Sequence, residues 1–335
     1  MQSFRKFRRK RSDTSSQASL PLRIGTSSSA ETSGSLNSTI SHDNNLEDTK
    51  GPLGLTLIHD SNEPLFDFVF VHGLGGGSRK TWAKANVAAH HWPGEWLPRE
   101  AGFENVRIHS YGYNSDWMKG NDNCLNLHHI GKSLLGEMAV SPHISGSNTS
   151  LVLIGHSMGG LVIKKAFMLA LQDSSLKELA NRVVSFYFLG TPHRGSDSAK
   201  MLKNILQVAS SSPAYVNDLI RGSGALQSIN DEFRQYSGDV ELWSFYETQK
   251  MKNFGSLIVD PESATLGYRE EKQIPMNADH RSICKFDSPA DPNYTLIRNA
   301  LASTIKTITS RCQCLSLPSR MQKANRLQIS KQVKP

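Results

Sequence analysis

The chain contains no run of about 18 uninterrupted apolar residues, the length a helix needs to span a bilayer, so no membrane-crossing helix is expected. The nearest candidate, Leu151 to Leu171, is interrupted by His156, Lys164 and Lys165. Cysteine is scarce. The four present, Cys124, Cys284, Cys312 and Cys314, make no disulfide framework. Cys312-x-Cys314 is too tightly spaced for a zinc site and lacks a second pair. A reducing intracellular compartment fits this usage. Acidic residues are missing from both ends. Residues 1–11 hold Arg5, Lys6, Arg8, Arg9, Lys10 and Arg11, and residues 311–335 hold Arg311, Arg320, Lys323, Arg326, Lys331 and Lys334. These twelve cations exceed the whole-chain net charge of +8, so the middle of the chain is net acidic. The basic character belongs to the ends, and no nucleic-acid surface is expected on the folded part. There is no secretory hydrophobic region and no internal repeat.

What is present centres on Leu151-Val-Leu-Ile-Gly-His-Ser-Met-Gly-Gly-Leu-Val-Ile-Lys-Lys165. Four consecutive apolar residues mark a strand buried on both faces of a parallel sheet. The chain then turns through Gly155-His156-Ser157-Met158-Gly159-Gly160 and resumes with helical periodicity. This is Gly-x-Ser-x-Gly in the strand–turn–helix setting of a nucleophile elbow, which presents the Ser157 hydroxyl above the sheet. The helix N-terminus places the Met158 amide to receive an oxyanion.

An earlier strand, Phe66 to Val71, runs into His72-Gly73-Leu74-Gly75-Gly76-Gly77. This loop lacks both the Gly-Lys-Ser/Thr of a P-loop and the Gly-x-Gly-x-x-Gly spacing of a dinucleotide site. It reads instead as the second half of an oxyanion hole, with the Leu74 amide as donor and His72 as a structural residue. No cofactor or metal is expected.

Further strands are predicted at Gly54 to His59, Val106 to Tyr111, Val183 to Leu189, Val240 to Tyr246 and within Ala264 to Pro275. Helices are predicted over Ile130 to Met138, Leu176 to Arg182 and Asp291 to Ile308. Between two strands, residues 197 to about 238 show three helical stretches (Met201 to Val208, Tyr215 to Arg221, Leu226 to Tyr236), the pattern of a substrate-covering lid. Trp82, Trp92 and Trp96 are expected in the core. The domain reading is a Ser-rich, basic, disordered segment over 1–50, an α/β-hydrolase domain over 51–310 and a basic tail over 311–335. The first thirty residues have the composition of a mitochondrial presequence, and also suit a nuclear signal, an anionic-lipid contact or a plain solvated tail.

A serine hydroxyl needs a base, and the base needs an orienting acid. In the order Ser, acid, His, the base is His280, just after the last strand. His193, in Thr-Pro-His-Arg-Gly, is expected to pack at a strand end. Glu247, at the end of its strand, is the preferred acid, with Asp260 as the alternative. Asp279 is expected to point elsewhere.

Phe70-Val71-His72-Gly73-Leu74-Gly75-Gly76, the elbow through Lys164, Gly190-Thr191-Pro192-His193-Arg194-Gly195-Ser196, Ser244-Phe245-Tyr246-Glu247-Thr248, Glu262-Ser263-Ala264 and Asp279-His280 with Cys284-Lys285-Phe286 occur in a consistent order. Over about residues 55–310 these blocks resemble the lipase-like serine-esterase family of the "serine active site containing" protein. They also resemble the lipase-like N-terminal domains of fungal nucleotide-binding receptors. The resemblance implies an α/β-hydrolase fold, mostly parallel with a helical lid, Ser157 as nucleophile and His280 as base. It further implies lipid handling, notably phospholipid remodelling. Its Ser-Phe-x-Glu-Thr block supports Glu247. Similar bacterial lipases place an Asp-Gly pair where Ser256-Leu257 stand here, so that acid is missing and the choice of acid stays open. The expected activity is cleavage or transfer of an acyl ester, by an intracellular enzyme in the cytoplasm or at mitochondrial or endoplasmic-reticulum membranes. The expected partners are an acyl-ester or lipid substrate and a membrane surface met through the basic ends. The rival is an adaptor domain that keeps the fold with its chemistry idle.

Overall fold

The computed structural model describes residues 49–115, 127–194, 198–209 and 223–316. The Ser-rich N-terminal segment, Cys124, the Tyr215 to Arg221 stretch and most of the C-terminal tail lie outside these residues. In chain order the elements are β1 (Gly54–His59), β2 (Phe66–Val71), the single turn α1 (Trp92–Glu95), β3 (Val106–Gly112), α2 (Leu127–Val140) and β4 (Ser150–His156). Then come α3 (Met158–Gln172), α4 (Lys177–Asn181), β5 (Val183–Leu189), α5 (Ser198–Val208), α6 (Ser223–Tyr236), β6 (Glu241–Glu247), β7 (Lys272–Met276) and α7 (Pro292–Ser316).

The seven strands form one sheet in the order β1-β3-β2-β4-β5-β6-β7, with β1 antiparallel to β3 and every other pairing parallel. Parallel strands need helical crossovers, and these cover both faces. The alternation within β2 shows how the sequence divides between them. Val69 and Val71 join the core that packs α2, α3 and α6, whereas Phe68 and Phe70 join the opposite core. That second core holds the predicted tryptophans. Trp82 and Trp92 meet Phe70 edge-on at ring separations of 5.1 and 5.2 Å, and Trp96 meets Tyr294 of α7 at 5.1 Å.

The last strand is shorter and later than the sequence pattern suggests, confined to Lys272–Met276 at the sheet edge. Pro275 within it is tolerated because an edge leaves one row of backbone groups unpaired. The closing helix extends past Ile308 to Ser316. Asp291 starts it: its carboxylate accepts from the Asn293 amide at 2.9 Å, and Pro292 takes the first helical position.

One polar residue interrupts β2. Asp67 is fully buried at the N-terminal end of the parallel strands and accepts both Arg107 donors at 2.8 and 2.9 Å and the His109 Nε2 at 2.8 Å. The Thr149 hydroxyl also donates to it. Burial opposes the carboxylate, but the hydrogen bonds from His109, Arg107 and Thr149 outweigh it and hold the pKa below the ordinary value. This cluster fastens β2, β3 and the start of β4 at the end of the sheet away from the elbow. Asp67→Ala would strand Arg107, so denaturant unfolding should show a loss of about 3–5 kcal/mol. A loss under about 1 kcal/mol would mean that the cluster does not hold the strands together.

Candidate active site

The chain leaves β4 at His156, and Ser157 takes φ 53°, ψ −125°, a conformation non-glycine residues seldom adopt. The turn survives because its surroundings fix it. The Ser157 amide donates to the Leu189 carbonyl at 2.9 Å, and α3 begins at once with Met158. Close passage of the backbones demands glycine here: a Cβ on Gly159 would lie 2.2 Å from the Val71 carbonyl oxygen.

Opposite the elbow, the Gly76 amide donates to the Gly73 carbonyl at 3.2 Å, closing a turn around Leu74 and Gly75. Gly75, with φ +65°, fills the position where such a turn requires a left-handed residue. A Cβ on Gly73 would lie 2.8 Å from the Ser157 Cβ, so this loop lies directly against the serine. His72 is structural, as its context suggests. It stacks on Tyr113 at 4.2 Å, its Nε2 accepts the Tyr113 amide at 3.1 Å, and the Tyr113 hydroxyl donates to the His72 carbonyl. Burial pushes its pKa down to about 4, so the ring is neutral.

His280 follows β7 and reaches back over the elbow, with Nε2 3.0 Å from the Ser157 Oγ. Asp279 indeed points elsewhere: its carboxylate accepts the Arg281 and Ser282 amides and the Ser282 hydroxyl, shaping the turn after the histidine. Trp92 Nε1 donates to the Cys284 carbonyl at 3.0 Å and anchors the far side of that turn. His156 also holds this loop, its Nε2 donating to the His280 carbonyl at 2.9 Å. The sequence reading gave His156 no role, although it occupies a variable position of the elbow motif.

Glu247, at the end of β6, lies with Oε2 3.7 Å from His280 Nδ1, and neither atom has another partner among the described residues. Its Oε1 accepts the Val259 amide at 2.5 Å. Burial raises the carboxyl pKa to about 8 against the pull of the Val259 and Ile258 amides. Burial, reinforced by His156 and Arg281, holds the His280 pKa well below its usual value. Asp260 is not at this place. It is exposed, and its carboxylate accepts the Ser263 amide and hydroxyl at 2.9 and 2.8 Å. Ser157, His280 and Glu247 are thus gathered at the C-terminal ends of three parallel strands, and Asp260 serves its own loop.

A cavity of about 340 Å³ opens on Ser157 and His280. Its apolar wall comes from Leu74 and from Ile205, Val208 and Ala209 of the helical insertion, and its rim carries Lys80, Arg281 and Lys285. Arg281 also donates to the Val208 carbonyl, joining the histidine loop to the insertion. Among the described residues no group of three His, Cys, Asp or Glu side chains is placed to hold a metal. No helix of the described residues is long and apolar enough to cross a membrane.

The strand order, the strained serine between β4 and α3, and the helical insertion over the strand ends define a lipase-like α/β-hydrolase fold. A family model described as a PGAP1-like alpha/beta domain matches residues 66–225. Among curated proteins, the chain is 28% identical to protein SERAC1 of Mus musculus over 243 residues, 65% of this chain and 36% of that protein. It is 29% identical to protein SERAC1 of Danio rerio over 249 residues, 67% of this chain and 37% of that protein. The chain therefore spans just over a third of the length of these relatives. Among solved structures it is similar to a lipase-esterase related protein from Clostridium acetobutylicum ATCC 824 (TM-score 0.46, 14% identity, 76% of this chain and 98% of that one). A fungal esterase from Rhizomucor miehei gives a TM-score of 0.47 at 16% identity, over 75% of this chain and 77% of that one.

Proposed function

We propose that the protein is a serine esterase that cleaves or transfers the acyl group of a lipid-like ester. The observation that carries this reading is the 3.0 Å approach of His280 Nε2 to the hydroxyl of a serine held at φ 53°. Ser157 Oγ attacks the acyl carbonyl as His280 Nε2 takes its proton. The oxyanion that forms is received by the Met158 and Leu74 amides, one at the start of α3 and one in the glycine turn. His280 then returns the proton to the leaving alcohol, and water or a second alcohol repeats the sequence to release the acyl group. As the carboxylate, Glu247 accepts from Nδ1–H so that Nε2 is the accepting nitrogen, and it stabilises the imidazolium once formed; with its pKa raised to about 8, this form grows in as pH rises.

The apolar lid wall suits an acyl chain, and the Lys80, Arg281 and Lys285 rim suits an anionic polar end. Similarity to the PGAP1-like domain and to SERAC1 supports a lipid-related substrate. Contact with an anionic membrane through the basic ends is part of the same proposal.

The test is turnover of short- and long-chain acyl esters, with fluorophosphonate adduct mapping by mass spectrometry. An adduct on Ser157 together with ester cleavage is expected. An unreactive serine in folded protein, with no ester cleaved, would leave the adaptor reading in its place. The glycine turn gives a sharper check. Gly73→Ala would push the loop off the serine and misplace the Leu74 amide, lowering the labelling rate on the order of 100-fold. Unchanged labelling would remove Leu74 from the oxyanion hole.

A further inference from the structure

Two helical turns beyond Ser157, Lys164 is completely buried, and none of the ion pairs of the described residues includes it. Its amino group, whose pKa burial holds well below the usual lysine value, donates to His193 Nδ1 at 2.6 Å and to Asn230 Oδ1 at 2.7 Å. It also lies 5.0 and 4.9 Å from the ring centres of Phe188 and Phe233. Asn230 of α6 in turn donates to the His193 carbonyl. With Nδ1 accepting, the ring proton of His193 sits on Nε2, which finds no acceptor among the described residues. Apolar side chains would fill this space without the penalty of burying polar groups, so packing alone does not account for the cluster.

The segment held by this cluster, 190–194, touches His280, the elbow helix and loop 258–265. Gly190 lies against the base, since a Cβ there would be 3.2 Å from His280 Nδ1. Thr191 fills the place a Cβ on Gly160 would need, which seats the segment on α3. The His193 amide donates to the Ser263 carbonyl at 2.7 Å, and Arg194 Nε donates to the Thr265 carbonyl at 2.9 Å. Ser263 is bound to Asp260, the neighbour of Val259, whose amide holds Glu247. A continuous chain of contacts therefore runs from the elbow helix to the acid without touching the substrate cavity.

We propose that Lys164, His193 and Asn230 form a positioning latch that fixes segment 190–194 and, through loop 258–265, sets the distance of Glu247 from His280. The proposal rests on the esterase reading for its effect on rate, but the latch itself is measurable without turnover.

The test compares wild type with Lys164→Met, His193→Phe, the double variant and His193→Asn, whose amide oxygen replaces Nδ1 as acceptor. Two quantities are read: the fluorophosphonate labelling rate and amide hydrogen exchange along the chain. A misplaced acid should lower labelling by about 100-fold in Lys164→Met and in His193→Phe. The double variant should be no slower than the worse single, because both break one link. His193→Asn should recover most of the rate lost in His193→Phe. Exchange over 256–266 should rise about tenfold while β2 and β4 keep their protection. The double variant replaces the Lys164–His193 pair by apolar groups and leaves Asn230 its bond to the residue 193 carbonyl, so it keeps a foldable core. Wild-type labelling with unchanged exchange over 256–266 in that variant would overturn the latch. Exchange rising equally everywhere would also overturn it, by showing a merely structural cluster. If wild type itself does not label, the esterase reading falls, and the exchange pattern alone decides the latch.

Discussion

Ser157→Ala is expected to remove fluorophosphonate labelling and to lower ester turnover by on the order of 10⁴- to 10⁶-fold, with the fold intact. The magnitude follows from what remains: without the nucleophile, only binding and the oxyanion donors act on a water attack. The substitution also relieves nothing in the backbone, since alanine at φ 53° is as strained as serine. Thermal stability should therefore stay close to wild type, which separates loss of chemistry from loss of structure. Ester turnover surviving in Ser157→Ala at more than a few per cent would show that another group attacks, and the proposed mechanism would fail.

Glu247→Gln should lower turnover by about 10³-fold, whereas Asp260→Asn should leave it within about threefold. A glutamine can present its amide nitrogen to His280 Nδ1 and favour the wrong tautomer, and it cannot ionise, as the carboxyl does while pH rises through about 8, to offset the imidazolium. Asp260 has no route to the ring in this arrangement, and an asparagine there still accepts the Ser263 amide through its Oδ1, so loop 258–265 keeps its place. Equal losses in both variants would mean that the loop delivers the acid.

The same residue has a stability signature. Its folded pKa, about 8, lies above the ordinary carboxylate value, so the folded state holds the proton more tightly than the unfolded chain. The contribution of the neutral acid is complete below the unfolded pKa and is lost as pH rises toward and through about 8. Wild-type melting temperature should accordingly fall across that window, and Glu247→Gln should flatten the fall. A Glu247→Gln profile parallel to wild type would show that the carboxyl is charged throughout.

Much of this arrangement was legible beforehand, and for stated physical reasons. The buried runs of β2, β4 and β5 are strong because strands covered on both faces admit little polarity. The elbow announces itself because strand, glycine turn and helix must coincide within a few residues. Elements at the sheet margin carry weaker signals. β7 is half exposed, and its sequence, Lys-Gln-Ile-Pro-Met, has neither an apolar run nor clean alternation, so only a broad range from Ala264 to Pro275 was readable. The choice between Glu247 and Asp260 depends on which way a loop of a dozen residues folds back, and no local pattern encodes that. Lys164 illustrates another limit. In the sequence it looks like a cation interrupting an apolar helix, and only its spatial partners, 29 and 66 residues away, give it a place.

The outermost position of β7 has a consequence for how the protein would respond to heat. Ser157 hangs from β4, paired on both sides near the middle of the sheet, but His280 follows a five-residue strand with a neighbour on one side only among the described residues. Margins of a sheet open before its centre. Warming would thus unhook His280 while Ser157 still sat on an ordered framework, so the proposed chemistry would be disarmed well before the protein is denatured and would rearm on cooling.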